Sequence, residues 1–178
     1  MNSTSTDTMS VLHGILKTIT DKQQQLERGP LRVGAHQQRV DGLNAEMETA
    51  KQNHLDSRMT ADNKQLQLKS SETKIEELQT KLNTCNSNRE YQALLEQIAA
   101  DQMAGSVLED EILDALETVD SLSEQVTVAT KTVDEAKGKL TEEKAQVQAE
   151  AEVLRKEIDG LEADLAEAIP ALNSALAA

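Results

Sequence analysis

The sequence predicts an all-α protein: a long antiparallel coiled-coil helical hairpin with a short additional N-terminal helix. Three observations support this fold class. Apolar residues recur at alternating steps of 3 and 4 over two long stretches, a turn-forming segment separates these stretches, and the composition suits long helices. The 178 residues include one Tyr and neither Trp nor Phe, so the bulky side chains that fill a wide globular core are missing.

The chain is expected to begin with a polar, disordered stretch over residues 1–8, followed by a first helix over residues 8–28. The apolar stripe of this helix consists of Leu12, Ile15, Ile19 and Leu26. Gly29 and Pro30 are expected to end the helix, because Pro lacks an amide proton and Gly relaxes the backbone. The sequence therefore predicts a connector that reaches Gly34.

The second helix is expected over residues 35–82, because its residues keep the alternating steps of a coiled-coil seam. Its seam positions are Val40, Leu43, Met47, Ala50, His54, Ser57, Ala61, Lys64, Leu68, Ser71, Ile75, Leu78 and Leu82. His54 is interpreted as a partly solvated seam residue, since no second metal ligand accompanies it. Small polar residues follow and predict a turn over residues 83–87.

The third helix is expected over residues 88–169. Ser87 and Glu90 fit a capping box at its start, and Pro170 is expected to end it before a tail over residues 173–178. Its seam positions are Tyr91, Leu94, Ile98, Asp101, Gly105, Leu108, Ile112, Ala115, Val119, Leu122, Val126, Ala129, Val133, Ala136 and Leu140. The hairpin as a whole is expected to cover residues 9–172.

Two irregularities interrupt the third seam. Asp101 and Gly105 indicate either a local loosening, with a close approach of the backbones, or a bend that aims the turn. Two successive steps of 4, from Ala136 to Leu140 and from Leu140 to Lys144, form a stutter, which locally unwinds a supercoil. Because the stutter falls opposite residues 29–34, it predicts a joint.

The formal net charge of −14 is concentrated in the third helix. From Glu90 to Thr130 there are ten acidic residues and no Lys or Arg, which argues against nucleic-acid binding by this part. The acidic run is either a solvated face or a docking face for a basic partner. Its candidate residues are Glu109, Asp110 and Glu111.

Cys85 is the sole cysteine, and no Cys/His cluster has zinc-ligand spacing. The sequence therefore predicts no metal or cofactor site in these residues. An enzyme is not expected, because the histidines at positions 13, 36 and 54 lie far along the helices from Cys85. The polar N-terminus and the absence of a long apolar run predict a cytoplasmic protein without a membrane span.

The turn end of the hairpin carries the candidate partner contacts. These residues are Asn86, Asn88, Arg89, Glu90 and Tyr91. Tyr91 has two readings: as an aromatic it is an interface anchor, and as the first seam residue it plugs the end of the hairpin.

The segments Asn86–Leu94 and Leu108–Leu113 together resemble the helical-hairpin part of the bacterial C4-type zinc-ribbon proteins. In that family an Asn-x-x-Glu-Tyr-x-x-Leu turn precedes a Leu-Glu-Asp-Glu-Ile-Leu stretch, and the resemblance covers roughly residues 9–172. The family's C-terminal ribbon, with two Cys-x-x-Cys pairs, is absent from this chain. The chain is therefore expected to be an excised hairpin or a member without the ribbon, and zinc is expected only if a ribbon exists beyond Ala178.

The resemblance implies an adaptor or chaperone-like role with a protein partner, such as a sigma factor or a component of a flagellar or secretion system. The alternative is a structural spacer or self-assembling coiled coil without a specific client. A monomer and a homodimer are both compatible with the exposed flanks of a two-helix seam.

Overall fold

Two long helices account for nearly all of the chain. The computed structural model describes the backbone of residues 2–177 and the side chains of residues 9–170. Helix α1 spans Asn2–Thr84 and helix α2 spans Asn88–Ala177. The helices pack against each other, and the all-α antiparallel coiled-coil hairpin predicted from the sequence is confirmed.

The predicted seams are the faces that the two helices bury. All thirteen predicted positions from Val40 to Leu82 are buried or half-buried, and so are fourteen of the fifteen from Tyr91 to Leu140. Tyr91 is the exception. Repeats of 3.5 residues keep one face of each helix against its partner, so the register read from the sequence is the register of the packing.

The predicted break over residues 29–34 is wrong, because α1 continues through Pro30. Pro30 points to the exposed side, where its missing amide leaves only the carbonyl of Leu26 without a helical donor. On the packed side the alternating steps of 3 and 4 continue across this segment without interruption. They run through Leu26, Gly29, Val33, His36 and Val40, all of them buried or half-buried. The first and second predicted helices are therefore one helix.

The helix ends also differ from the prediction. The backbone is helical from Asn2, where a disordered stretch over residues 1–8 was expected, and α2 passes Pro170 to Ala177 in place of a tail from residue 173. Extending an existing helix adds one hydrogen bond for each residue that is fixed, and a Pro removes one bond without preventing later ones. Met1 and Ala178 lie outside the described residues.

The chain divides into two compact units. The terminal unit comprises Met1–Gly42 and Val133–Ala178. Its core includes Val40, Val133, Ala136 and Leu140, and Val133 is the most completely buried large side chain, with 1% of its surface exposed. The two helices run antiparallel in this unit, since Lys22 Nζ donates a 2.6 Å hydrogen bond to Glu157 Oε2 and Arg32 Nη1 donates one of 2.8 Å to Glu150 Oε2.

The stutter lies one heptad beyond the predicted position. Lys144 is exposed, and Glu143 is the half-buried residue after Leu140. The two steps of 4 therefore run from Glu143 through Val147 to Ala151. The sequence did not show this, because a charged residue occupies either candidate position.

Gly29 allows the helices of the terminal unit to approach closely. A Cβ added at Gly29 would lie 2.6 Å from Cγ1 of Val147, a distance that real side chains do not tolerate. Val147 is β-branched and stiff at χ1, so it has little freedom to move away. The glycine is therefore required by packing and not by a turn.

The turn unit, Leu43–Thr132, has a more polar seam. Its buried apolar residues include Ala61, Leu78, Ile98 and Ile112. The polar seam positions His54, Ser57, Lys64, Ser71 and Asp101 are only half-buried. Gly105 is buried, but a Cβ there would lie 3.9 Å from Cδ1 of Leu68, which is ordinary van der Waals contact. The backbones are thus not closer at Gly105 than an alanine would permit.

Candidate protein-binding surfaces

The turn between the helices is short and capped. Thr84 ends α1, residues 85–87 are non-helical, and Asn88 begins α2, all within or beside the predicted turn over residues 83–87. The amide of Tyr91 donates a 2.9 Å hydrogen bond to the carbonyl of Ser87. An N-cap residue accepts the first helical hydrogen bond in this way, so Ser87 is the N-cap of α2.

The five predicted contact residues gather at this turn. Asn86, Asn88, Arg89 and Glu90 are exposed, and Tyr91 exposes 41% of its surface. The ring of Tyr91 is therefore not enclosed between the helices. A partly exposed aromatic side chain beside polar groups has the composition of an interface anchor.

Cys85 is half-buried beneath the exposed turn residues. Its Sγ donates a 3.2 Å hydrogen bond to the carbonyl of Leu82, one of the last carbonyls of α1. Such carbonyls lack intrahelical donors, so the thiol contributes to the helix end. This contact is local and brings no base to the sulfur.

The predicted acidic face is exposed, but its three residues differ in their partners. Glu109 and Asp110 form no ion pair with any described residue. Glu111 pairs with Lys64, a seam residue of α1. Part of the charge of Glu111 is thus compensated within the molecule, and the uncompensated part of the predicted face is Glu109 and Asp110.

A second lysine compensates the acidic residue in the seam. Lys74 Nζ lies 2.9 Å from Oδ2 of Asp101, which explains how a carboxylate is accommodated at a core position. Lysines from α1 reach across to α2 at both Asp101 and Glu111. Because both pairs are partly exposed, each contributes modestly to stability.

Exposed apolar side chains on the outer face of α2 were missed by the sequence reasoning. Met103 exposes 74% of its surface, and Val107 and Leu113 are also largely exposed. The signal was present in the sequence: these residues lie outside the seam, and Met103 and Val107 are four residues apart on one face. The seam repeats over many turns of the helix, whereas this second pattern is a single step of 4 and is weaker.

The terminal unit contains an open groove of about 580 Å³ along one flank of the two helices. Its lining residues are Gln25, Arg28, Arg32, Ala149, Glu150, Val153 and Leu154. The side chains of α2 supply an apolar floor, and α1 supplies two arginines. The sequence alone did not indicate this groove, because it needs the two helices in register.

Arg32 is held by two glutamates of α2. Its Nη1 donates a 2.8 Å hydrogen bond to Oε2 of Glu150, and its Nε lies 2.7 Å from Oε1 of Glu143. The hydrogen bond to Glu150, together with the smaller contribution of Glu143, raises the pKa of Arg32 above its ordinary value. Hydrogen bonds from Gln146 and then from Arg32 lower the pKa of Glu150 below its ordinary value.

The described residues show neither a metal-binding cluster nor a membrane-spanning segment. No group of three or more His, Cys, Asp or Glu side chains there is arranged to hold a metal ion. In the same part of the chain, neither helix has a segment apolar enough over a sufficient length to cross a bilayer.

Comparison with known proteins gives a limited result. No family model matches the chain. No curated protein matches it either. Among solved structures, the chain is similar to a coiled-coil segment of Smc from Pyrococcus yayanosii, at 16% sequence identity and a TM-score of 0.33. The similarity covers 96% of this chain and 81% of the Smc segment, and at these values it implies no shared function.

Proposed function

We propose that this chain is a non-enzymatic, cofactor-independent protein-binding hairpin that presents its turn end and the adjoining acidic face to a partner protein. The observation that carries the proposal is the exposure of Tyr91. It is the only aromatic residue of the chain, and it alone among the 28 predicted seam positions is exposed. An apolar ring left at a helix start, where it adds little to the core, is suited to contact with a partner.

The charges around Tyr91 support the same proposal. Arg89 is the only base between Lys81 and Lys131, and it stands beside Glu90 at the turn. Farther along α2, Glu109 and Asp110 have no internal ion pair among the described residues. A partner with an aromatic-binding pocket and a basic surface about 27 Å from that pocket would match this arrangement.

The turn motif also suggests the class of the client protein. The turn motif that resembles the C4-type zinc-ribbon proteins supports a client in transcription or in flagellar or other secretion systems. It also supports membership in that family and a cytoplasmic location. A purified candidate client of these classes provides the direct test.

The test compares three versions of the full chain as bait for such a client. The turn variant carries Tyr91→Ala and Arg89→Glu. The matched control carries Leu66→Ala and Arg58→Glu, the same kinds of change at exposed positions on α1 away from the turn. Circular dichroism confirms that all three are equally helical.

We expect the wild type and the control to bind the client with equal affinity, and the turn variant to bind about tenfold more weakly or worse. Equal binding by all three versions would contradict the proposal and place the contact elsewhere. Failure of the wild type to bind any of the purified candidate clients would instead fit the alternative of a structural spacer.

A further inference from the structure

The groove of the terminal unit has unused binding capacity. Arg28 lines the groove, and Arg39 lies on the same face of α1, eleven residues farther along. Neither arginine forms an ion pair with a described residue, whereas Arg32 between them is neutralised by Glu143 and Glu150. The surface thus combines an apolar floor with two uncompensated positive charges.

A surface of opposite character lies on the outer face of α2 in the turn unit. Met103, Val107, Asp110, Asp114 and Glu117 follow one another at steps of 4, 3, 4 and 3, so they share one face of the helix. All five are exposed, and none of the three acidic residues forms an ion pair within the described residues. This face has an apolar end followed by an acidic end.

The two surfaces are similar in length. Arg28 and Arg39 are eleven residues apart, and Met103 and Glu117 are fourteen residues apart. At about 1.5 Å per residue, the first separation is roughly 16 Å of helix and the second roughly 21 Å. An apolar pair at one end and carboxylates over the next turns fit a groove with an apolar floor and arginines along its edge.

We propose that the groove of one copy of this chain binds residues 103–117 of α2 in a second copy. Met103 and Val107 contact the apolar floor near Val153. Asp110 approaches Arg28, and Asp114 and Glu117 lie toward Arg39. The contact does not involve the turn, so it can form whether or not a client binds Tyr91. Because it covers Asp110, self-association excludes a client from that part of the acidic face.

Charge determines the expected solution behaviour. The net charge of −14 makes two copies repel each other overall, while the contact itself joins opposite charges. Salt screens the long-range repulsion between the copies more strongly than the close charge pairs at the contact. We therefore expect self-association of the full chain at tens of micromolar by sedimentation equilibrium, both at about 0.05 M and at about 0.5 M salt.

Two charge-reversal variants test the proposed faces. The groove variant carries Arg28→Glu and Arg39→Glu, and the helix variant carries Asp110→Arg and Asp114→Arg. Each variant places like charges opposite each other at both arginine positions of the groove. Each variant alone should therefore associate at least about tenfold more weakly than the wild type. Mixing the two variants restores opposite charges at both contacts, and the mixture should form the heterodimer.

Net charge makes the helix variant particularly informative. Its two substitutions reduce the magnitude of the net charge, from −14 to −10, and a smaller net charge in general promotes association. Weaker association of this variant therefore points to a specific contact. Two control variants carry the same charge changes at exposed positions outside both faces. Glu76→Arg with Glu77→Arg has the net charge of the helix variant, and Arg58→Glu with Lys69→Glu has the net charge of the groove variant.

The apolar part of the contact has its own matched pair. Met103→Ser should weaken association several-fold, whereas Met59→Ser, at an exposed methionine on α1, should leave it unchanged. A chain that stays monomeric at both salt concentrations would overturn the proposal. Association that survives both reversals, or a mixture of the two variants that fails to associate, would overturn it equally.

Discussion

Ile112 and Leu113 are adjacent in α2 but lie in opposite environments. Ile112 exposes 7% of its surface and Leu113 exposes 65%. Replacing Ile112 by Ala removes buried methyl groups and leaves a cavity, so we expect a loss of about 2–4 kcal/mol in the free energy of unfolding. Leu113→Ala should change it by no more than about 0.5 kcal/mol. Urea denaturation followed by circular dichroism measures both, and a larger loss for Leu113→Ala would mean that the seam is displaced by one residue.

Glu150 is predicted to contribute stability that depends on pH. Hydrogen bonds from Gln146 and Arg32 lower its folded-state pKa, so the folded state favours the charged form. This contribution is fully present above the unfolded-state pKa, about 4.3 for Glu, and is lost as the pH falls through the lower folded-state value. We expect Glu150→Gln to unfold at a lower temperature than the wild type at pH 7. At pH 2.5 the two midpoints should coincide, and a difference that persists there would argue against the charge as its cause.

At the scale of the helix, the apolar seam of α1 indicated that the helix is continuous, whereas its Gly and Pro residues indicated a break. Gly29, Pro30 and Gly34 gave a strong local signal for a break. The steps of 3 and 4 nevertheless keep one phase from Leu12 to Leu82, and a break would have had no reason to preserve that phase. Long-range packing along the seam prevails over the loss of one backbone hydrogen bond at Pro30.

Gly29 and Gly34 provide a prediction about the approach of the two helices. Nothing lies within 4 Å of a Cβ placed at Gly34, whereas a Cβ at Gly29 would overlap Val147. Gly34→Ala should stabilise the protein by about 0.5–1 kcal/mol through helix propensity alone. Gly29→Ala should be destabilising despite the same gain in propensity, because either Val147 or the whole helix has to move.

The double variant Gly29→Ala, Val147→Ala identifies the cause of that loss. Removing the valine methyl groups relieves the overlap, so the two substitutions should be less destabilising together than the sum of their separate effects. Additive effects in thermal unfolding would mean that the helices already separate at Gly29 without strain.

At the scale of the whole molecule, the two units differ in how their seams are built. The terminal unit contains four buried residues close together in Val40, Val133, Ala136 and Leu140. The turn unit has half-buried polar residues at many seam positions, among them His54, Ser57 and Lys64. Local stability follows the burial of apolar contacts.

Hydrogen exchange is the measurement for this difference. We expect the amides of residues 133–140 to exchange more slowly than those of residues 54–64, because opening the polar seam exposes less apolar surface. The exposed turn residues 85–87 serve as the fast reference. Uniform protection along both helices would show that the hairpin opens as a single cooperative unit.

Much of the candidate binding surface could be predicted from the sequence, because its residues are neighbours along the chain. A turn at residues 83–87 necessarily brings Asn86 to Tyr91 together at the end of a hairpin. The partial exposure of Tyr91 and the pairing of Glu111 with Lys64 did not follow, because both depend on how two helices face each other. The prediction that Lys144 occupies the seam was wrong for the same reason. Glu143 lies there instead, within reach of Arg32 on the partner helix.

By itself the sequence determined the helical hairpin, its turn and its register, because these depend on periodic burial along each helix. The tertiary structure decided what happens across the helices. It joined α1 through Pro30, fitted Gly29 against Val147 and formed the groove between Arg28 and Val153. The physical reason is that a single-helix pattern records which face is buried, whereas clashes, ion pairs and grooves depend on the particular residues that the partner helix places opposite.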